Sequence, residues 1–303
     1  MKKIKKLILV IASFGLVLGI LLTAIGYFTG GIDELNTLYQ QEHKQTFYKK
    51  SLDNFTSIKL EDTNQKTGFH DLTIKTTDKD QAYISYAKNG INITNKDKTL
   101  TITDKNNSST SDYQINHLKL SDLIGMIKNN HWTGQYVNEI ILYIPKKQVI
   151  SSIYGHFSGS VSLNNQTVSN LNLTVTSGDF TANNSDISNT NLTLKLGDLY
   201  ASNSQLKKSQ INLQTGDTDF DHLSLTDSML TLSTGDYYAN GVKFLGENTI
   251  VSNSGDIDIT LDSYDLTLID KTDNEDNTIT NQLKDSKTNF LTIQSSVSDV
   301  SIQ

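Results

Sequence analysis

The chain has 303 residues, a formal net charge of −7 and 26 basic residues, every one of them lysine. Without arginine no face can offer the bidentate guanidinium fork that phosphate and base-edge recognition favour, so nucleic acid is not an expected partner. The absence of cysteine excludes disulfides, thiolate metal sites and cysteine nucleophiles, and fits an exported bacterial protein that dispenses with covalent staples.

Lys2, Lys3, Lys5 and Lys6 lie in a short tail (1–6), followed by Leu7 to Phe28, 22 positions without a charge. As a helix such a run reaches about 33 Å, enough to cross a bilayer core. The positive-inside rule keeps the lysines in the cytoplasm and sends the rest outward. The alternative is a cleaved signal peptide. Its apolar core would be shorter, about 7 to 15 residues, and Thr23-Ala24-Ile25-Gly26 is only a passable cleavage site, so an uncleaved single-pass anchor is expected. Without the four leading lysines, 22 lysines face 33 acidic residues outside, a net −11 that gives no charge-driven adhesion to anionic lipid. Residues 29–51 read as a juxtamembrane stalk, with Ile32, Leu35, Leu38 and Tyr39 at helix-compatible spacing.

From residue 52 onward the chain reads as one extracytoplasmic β domain (52–303). Strand-like alternation appears at Phe55 to Leu60, Leu72 to Ile74, Tyr83 to Tyr86, Ile91 to Ile93 and Leu100 to Ile102, separated by turn residues. These predict irregular opening rungs or a small β cap. Residues 104–138 break the pattern as an insertion: a polar loop, then Leu118, Leu123, Ile124 and Ile127 on one side of a short helix, then Trp132, the only tryptophan, and Tyr136. The strand Glu139 to Ile144 ends at Pro145, the only proline, which marks an edge or a rung boundary.

Beyond Pro145 the chain is ruled by a dipeptide: Gly178-Asp179, Gly197-Asp198, Gly216-Asp217, Gly235-Asp236 and Gly255-Asp256, preceded by Gly159-Ser160, at spacings of 19, 19, 19, 19 and 20 residues. A fixed period of this length marks a solenoid, in which each repeat buries its apolar face only by stacking on its neighbours. Apolar residues recur five and three positions before each glycine (Leu192 and Leu194, Ile211 and Leu213), two and four after it (Leu199 and Ala201), and nine after it (Ile187, Leu206, Leu225, Phe244). Strand side chains alternate faces, so each odd step between these sets demands a corner. Three phase breaks per period predict three short strands per rung and a roughly triangular parallel β-solenoid. Core volume is compensated between rungs, since Thr218 and Phe220 invert the large-then-small order of Leu199 and Ala201. Residues 270–289 read as an acidic polar loop, and Phe290 to Ile293 with Ser298-Asp299-Val300 as a final rung.

The lysine-led anchor, the Tyr143-Ile144-Pro145 strand and the Ser/Thr-Gly-Asp repeats together resemble the bacterial family of β-strand-repeat domains described as candidate adhesins of otherwise unknown function. The likeness spans roughly residues 52–303. It implies a cell-envelope protein of a Gram-positive or related bacterium, sometimes encoded beside envelope-stress regulators, and it implies no reaction, cofactor or catalytic residue.

The repeat and the histidines bear on two chemistries, a calcium site and a hydrolytic one. Stacked rungs would set the carboxylates of the Gly-Asp ladder about 4.8 Å apart, and calcium accepts such oxygens. The competing reading is that each aspartate bonds backbone N–H groups at its turn, and this one is adopted, because the nonapeptide pattern of calcium β-rolls is absent. A β-helical polysaccharide-degrading enzyme would need a constellation that Gly155-His156 only half supplies, and His43, His70, His117, His131 and His222 show no ligand spacing. The expectation is a non-enzymatic protein without cofactor or metal. Its binding surface would draw on the insertion with Trp132 and Tyr136, and its partner would be a glycan, a wall polymer or a membrane protein. The alternative is an envelope-stress regulator acting through a membrane partner.

Overall fold

A computed structural model describes residues 47–62, 70–87, 91–104, 138–272, 277–295 and 299–303. The expected tail, anchor and most of the stalk, the short helix of the insertion, Trp132 and Tyr136 lie outside them. Among the described residues there are 24 strands and no helix.

The strands stack in two continuous sheets. In the repeat region one sheet is built from the long strands β8 (Ile150–Phe157), β10 (Thr167–Val175), β12 (Asp186–Leu194) and β14 (Gln205–Leu213), then β16 (Ser224–Thr226) with β17 (Met229–Leu232), and β19 (Glu247–Ser252). The other, here the Gly-Asp sheet, is built from the short strands β9 (Val161–Asn164), β11 (Phe180–Asn183), β13 (Leu199–Ser202) and β15 (Thr218–Asp221), the first half of β18 (Tyr237–Leu245), and β20 (Ile257–Leu261). All these neighbours are parallel, and from β10 to β18 partners lie 19 residues apart.

The rungs have the three sides that the phase breaks require, although in those of β10, β12 and β14 two of the sides form one nine-residue strand with a kink. The corners carry left-handed backbone. Gly197 at φ 140° makes the first, Asn203 at 48° the second and Lys208 at 49° the third, and the kink separates into two strands at Asp227, φ 48°. The second-corner column is Asn165, Asn184, Asn203, His222 and Gly241, all residue types that tolerate this region. Lys208 is the exception. It occupies a corner that Asn189, Asp227 and Gly246 fill in other rungs.

The inward positions are those the repeat predicts. Leu192, Leu194, Leu199, Ala201, Leu206, Ile211, Leu213, Leu225, Leu230 and Leu232 are all buried. Thr218 and Phe220 also point inward, and the Phe220 ring meets Tyr237 of the next rung edge-on at 5.5 Å, so the inverted pair is filled by the larger side chain above it. Two corners carry polar columns inside the core. The Ser185 N–H donates to Ser204 Oγ (3.0 Å) and the Ser209 N–H to Ser228 Oγ (3.2 Å), which satisfies backbone groups that the turning chain cannot pair in the ladder.

Stack order departs from sequence order at both ends. β2 (Ser57–Asp62) and β3 (His70–Thr77) lie against β8 and β9, while β6 (Thr99–Asp104) and β7 (Asn138–Pro145) lie one rung further out. Outside these, β5 (Ile91–Lys96) pairs antiparallel with β6, and β4 (Tyr83–Ala87) with β7. β1 (Phe47–Ser51) then pairs antiparallel with β4. Phe47–Ser51, expected in the stalk, is therefore a strand of the β domain. Asp104 and Asn138, expected in the insertion, are strand termini. At the far end β23 (Phe290–Ser295) and β24 (Val300–Ile302) pair with β19 and β20, and β21 (Thr267–Thr272) and β22 (Thr278–Ile279) pair with the other side of β23 and β24. Residues 290–302, expected as the final rung, are thus the penultimate one. The segment read as a loop from 270 supplies part of the outermost rung. Pro145 ends β7 opposite Thr77, at a rung boundary.

Candidate functional site

The Gly-Asp corner is built by contact between rungs. A Cβ placed on Gly216 would lie 2.0 Å from the Gly197 carbonyl oxygen, and one on Gly235 the same distance from that of Gly216. With φ between 117° and 146° from Gly159 to Gly255, the column Gly159, Gly178, Gly197, Gly216, Gly235 and Gly255 demands glycine on both steric and dihedral grounds.

The aspartates after these glycines form a second ladder. Oδ1 of Asp179 accepts the N–H of Asp198 (2.9 Å), Asp198 that of Asp217, Asp217 that of Asp236, and Asp236 that of Asp256 (each 2.8 Å). It continues at both ends through residues distant in sequence. Asp299 donates to Asp256 (3.2 Å), Asp179 donates to Ser160 Oγ (3.3 Å), and Ser160 donates to Asp71 Oδ1 (3.1 Å), 89 positions away. Each carboxylate thus bonds a turn N–H, on the adjoining rung.

Two residues beyond each aspartate a column points outward from the same sheet: Thr181, Tyr200, Asp219, Tyr238, Asp258 and Ser301, in direct register. Tyr200 is 36 % and Tyr238 50 % exposed. Rungs about 4.8 Å apart put the two rings roughly 10 Å from each other, with Asp219 between them. From Tyr200 to Asp258 this column, together with Asp198, Asp217, Asp236 and Asp256 of the ladder, lines a shallow groove across four rungs. The Tyr200 hydroxyl donates to Asp198 Oδ2 at 3.0 Å. That bond, followed by partial burial and the charges of Asp198, Asp179 and Asp219, pushes its phenol up to about 12. Further along the face, His222 and then Asn240 hold the Asp221 carboxyl below the usual aspartate range.

A buried polar pair escaped the sequence reading. His70 Nδ1 lies 2.5 Å from Asp104 Oδ2, and both side chains are almost wholly buried. Asp62 is the register partner of Asp104 and accepts the Ser158 hydroxyl. These contacts tie the start of β3, the ends of β2 and β6 and the corner before Gly159 together. Only the non-sequential stacking brings His70 and Asp104 into range, so their spacing of 34 carries no local signal. His156 lies on β8 with its side chain exposed, opposite Thr174. The expected surface residues Trp132 and Tyr136 lie outside the described residues, and the site above is described without them.

The family model described as Toastrack DUF4097 matches residues 59–303, more than three quarters of the chain. The chain belongs to the Toastrack DUF4097 family. Its match begins inside β2 and runs through β24. The Toastrack chain is also similar to solved structures at low identity. One is a putative lipid binding protein from Parabacteroides distasonis (13 % identity, TM-score 0.44, covering 85 % of this chain and 96 % of that one). Another is a putative adhesin from Bacteroides fragilis (14 %, TM-score 0.39, 85 % and 97 %). A third is a putative adhesin from Parabacteroides distasonis (18 %, TM-score 0.30, 85 % and 96 %). No curated protein matches the chain.

Proposed function

We propose that this Toastrack chain is a non-enzymatic, membrane-anchored envelope protein that presents its solenoid outside the membrane as an adhesin-like binding surface. One observation carries the reading: the outward column of the Gly-Asp sheet repeats in register over successive rungs and exposes two tyrosines, an arrangement suited to an extended partner. The 22-residue uncharged run behind four lysines supports the anchor and its orientation. A fluorescence protease-protection assay on intact cells tests the topology. Cleavage of the β domain by external protease, with an N-terminal tag protected, is expected, and a protected β domain would contradict it.

A second reading, regulation through a membrane partner, is favoured by β1. This strand begins at Phe47, soon after the expected anchor, and all five of its residues are exposed while it pairs with β4. Exposed side chains this near the expected anchor favour contact with a partner in the membrane. The two readings separate when wall preparations and glycans are probed with residues 47–303 while the full chain is crosslinked in its native membrane. Binding by the solenoid supports the surface reading. Crosslinking to one specific membrane protein without solenoid binding supports the regulatory one.

A further inference from the structure

The Gly-Asp face separates charge as well as shape. Between Gly178 and Leu261 the lysines are Lys195, Lys207, Lys208 and Lys243. Lys207, Lys208 and Lys243 lie in the segments that form the opposite sheet, and Lys195 follows directly on β12 of that sheet. None lies on β11, β13, β15, β20 or the first half of β18. The groove on this face therefore holds Asp198, Asp217, Asp219, Asp236, Asp256 and Asp258 with Tyr200 and Tyr238 and without a basic residue.

We propose that this face docks a cationic, extended polypeptide segment, whose lysine or arginine side chains sit over the Tyr200 and Tyr238 rings between the flanking carboxylates. The inference rests on the reading of the solenoid as a binding surface and names the partner's chemistry. An exposed aromatic ring attracts a cation through its quadrupole, more strongly when carboxylates stand beside it. The hydrogen bond from the Tyr200 hydroxyl to Asp198 Oδ2 holds this ring beside a carboxylate. The geometry disfavours a small divalent cation, because Oδ1 of each ladder aspartate from Asp179 to Asp256 already accepts a backbone N–H, and among the described residues no three acidic or histidine side chains converge to hold a metal ion. A neutral glycan could stack on the rings, but it would leave six neighbouring carboxylates uncompensated. A segment in the polyproline II conformation rises about 3.1 Å per residue with three residues per turn, so its side chains three residues apart share one face and lie roughly 9 Å apart, close to the spacing of the rings.

The test uses the full-length chain in nanodiscs of zwitterionic lipid, with fluorescein-labelled decalysine as probe, decaglutamate as control and a panel of neutral oligosaccharides in parallel, by fluorescence anisotropy at 50 and 150 mM salt. Decalysine is expected to bind, decaglutamate not. Y200A/Y238A and D219N/D258N are each expected to weaken decalysine binding at least tenfold, while D186N on the opposite sheet leaves it within twofold. All three variants alter exposed side chains, and their thermal midpoints are checked against the parent. Equal decalysine binding by the tyrosine variant would reduce the site to diffuse attraction and overturn the proposal. An oligosaccharide that binds and loses affinity in Y200A/Y238A would also overturn it, yet leave the surface-binding reading standing. Failure of every probe would remove both.

Discussion

Gly216 shows how little freedom a single corner position has. Its φ of 146° is a conformation that side-chain-bearing residues rarely adopt, and an added Cβ would strike the Gly197 carbonyl. Gly216→Ala should cost about 3 kcal/mol or more from strain and clash together, lowering the thermal midpoint by roughly 6–12 °C in a domain of this size, measurable by calorimetry. The neighbouring aspartate behaves differently, because what the next rung needs is an acceptor. Asp217→Asn keeps an oxygen for the Asp236 N–H, whereas Asp217→Ala removes it. The alanine variant should lose about 1 kcal/mol and the asparagine variant much less. Equal losses would show that the carboxylate's charge, and not merely an acceptor oxygen, is the stabilising element. Tyr200 gives a third check. Its phenol is raised above the unfolded value of about 10, so its bond to Asp198 contributes fully below pH 10 and is lost as pH rises through about 12. An ultraviolet titration should show one tyrosine ionising near pH 12 that disappears in Tyr200→Phe and moves down in Asp198→Asn.

At the scale of strands and corners, the repeat was legible because inward residues and glycines recur in phase. Leu213 was placed inward on spacing alone and is fully buried between Leu194 and Leu232. Leu213→Asp should therefore bury an unpaired charge and break contacts with two rungs, costing about 4 kcal/mol or more and unfolding much of the array in urea melts. The corners were only partly legible. The phase breaks demanded them, but the column of Asn165, Asn184 and Asn203 that makes the second corner was a readable signal left unused, since asparagine is a residue that tolerates left-handed backbone. The serine columns at Ser185, Ser204, Ser209 and Ser228 were not legible from hydropathy, because a buried serine looks like an exposed one until its hydrogen bonds are known. The surface column of Tyr200, Asp219, Tyr238 and Asp258 varies in residue type from rung to rung and so carries no periodic signal.

For the whole molecule, opening rungs at one end and a final rung at the other describe a stack in chain order, and both ends depart from it. β2 and β3 lie inside β6 and β7, and β23 and β24 lie inside β21 and β22. Nothing in local composition distinguishes an inserted rung from an appended one, because each presents the same alternation to its neighbours. The consequence is continuity. Asp71 and Asp299 extend the aspartate ladder at either end, and the buried His70–Asp104 pair forms at the start of the stack. The inserted rungs lengthen at both ends a face whose groove, from Asp198 to Asp258, lies on rungs stacked in chain order. The chain has no cysteine, so paired substitutions can report it directly. Thr249 and Thr292 are register partners on adjacent rungs, and Ile269 faces Thr292 from the far side, two rungs from Thr249. Neighbouring parallel strands place α-carbons about 4.8 Å apart, within disulfide reach, and second neighbours lie beyond it. Mild oxidation should crosslink Thr249→Cys/Thr292→Cys and leave Thr249→Cys/Ile269→Cys unlinked. The reverse pattern would place residues 267–272 directly on β19 and contradict the inserted rung.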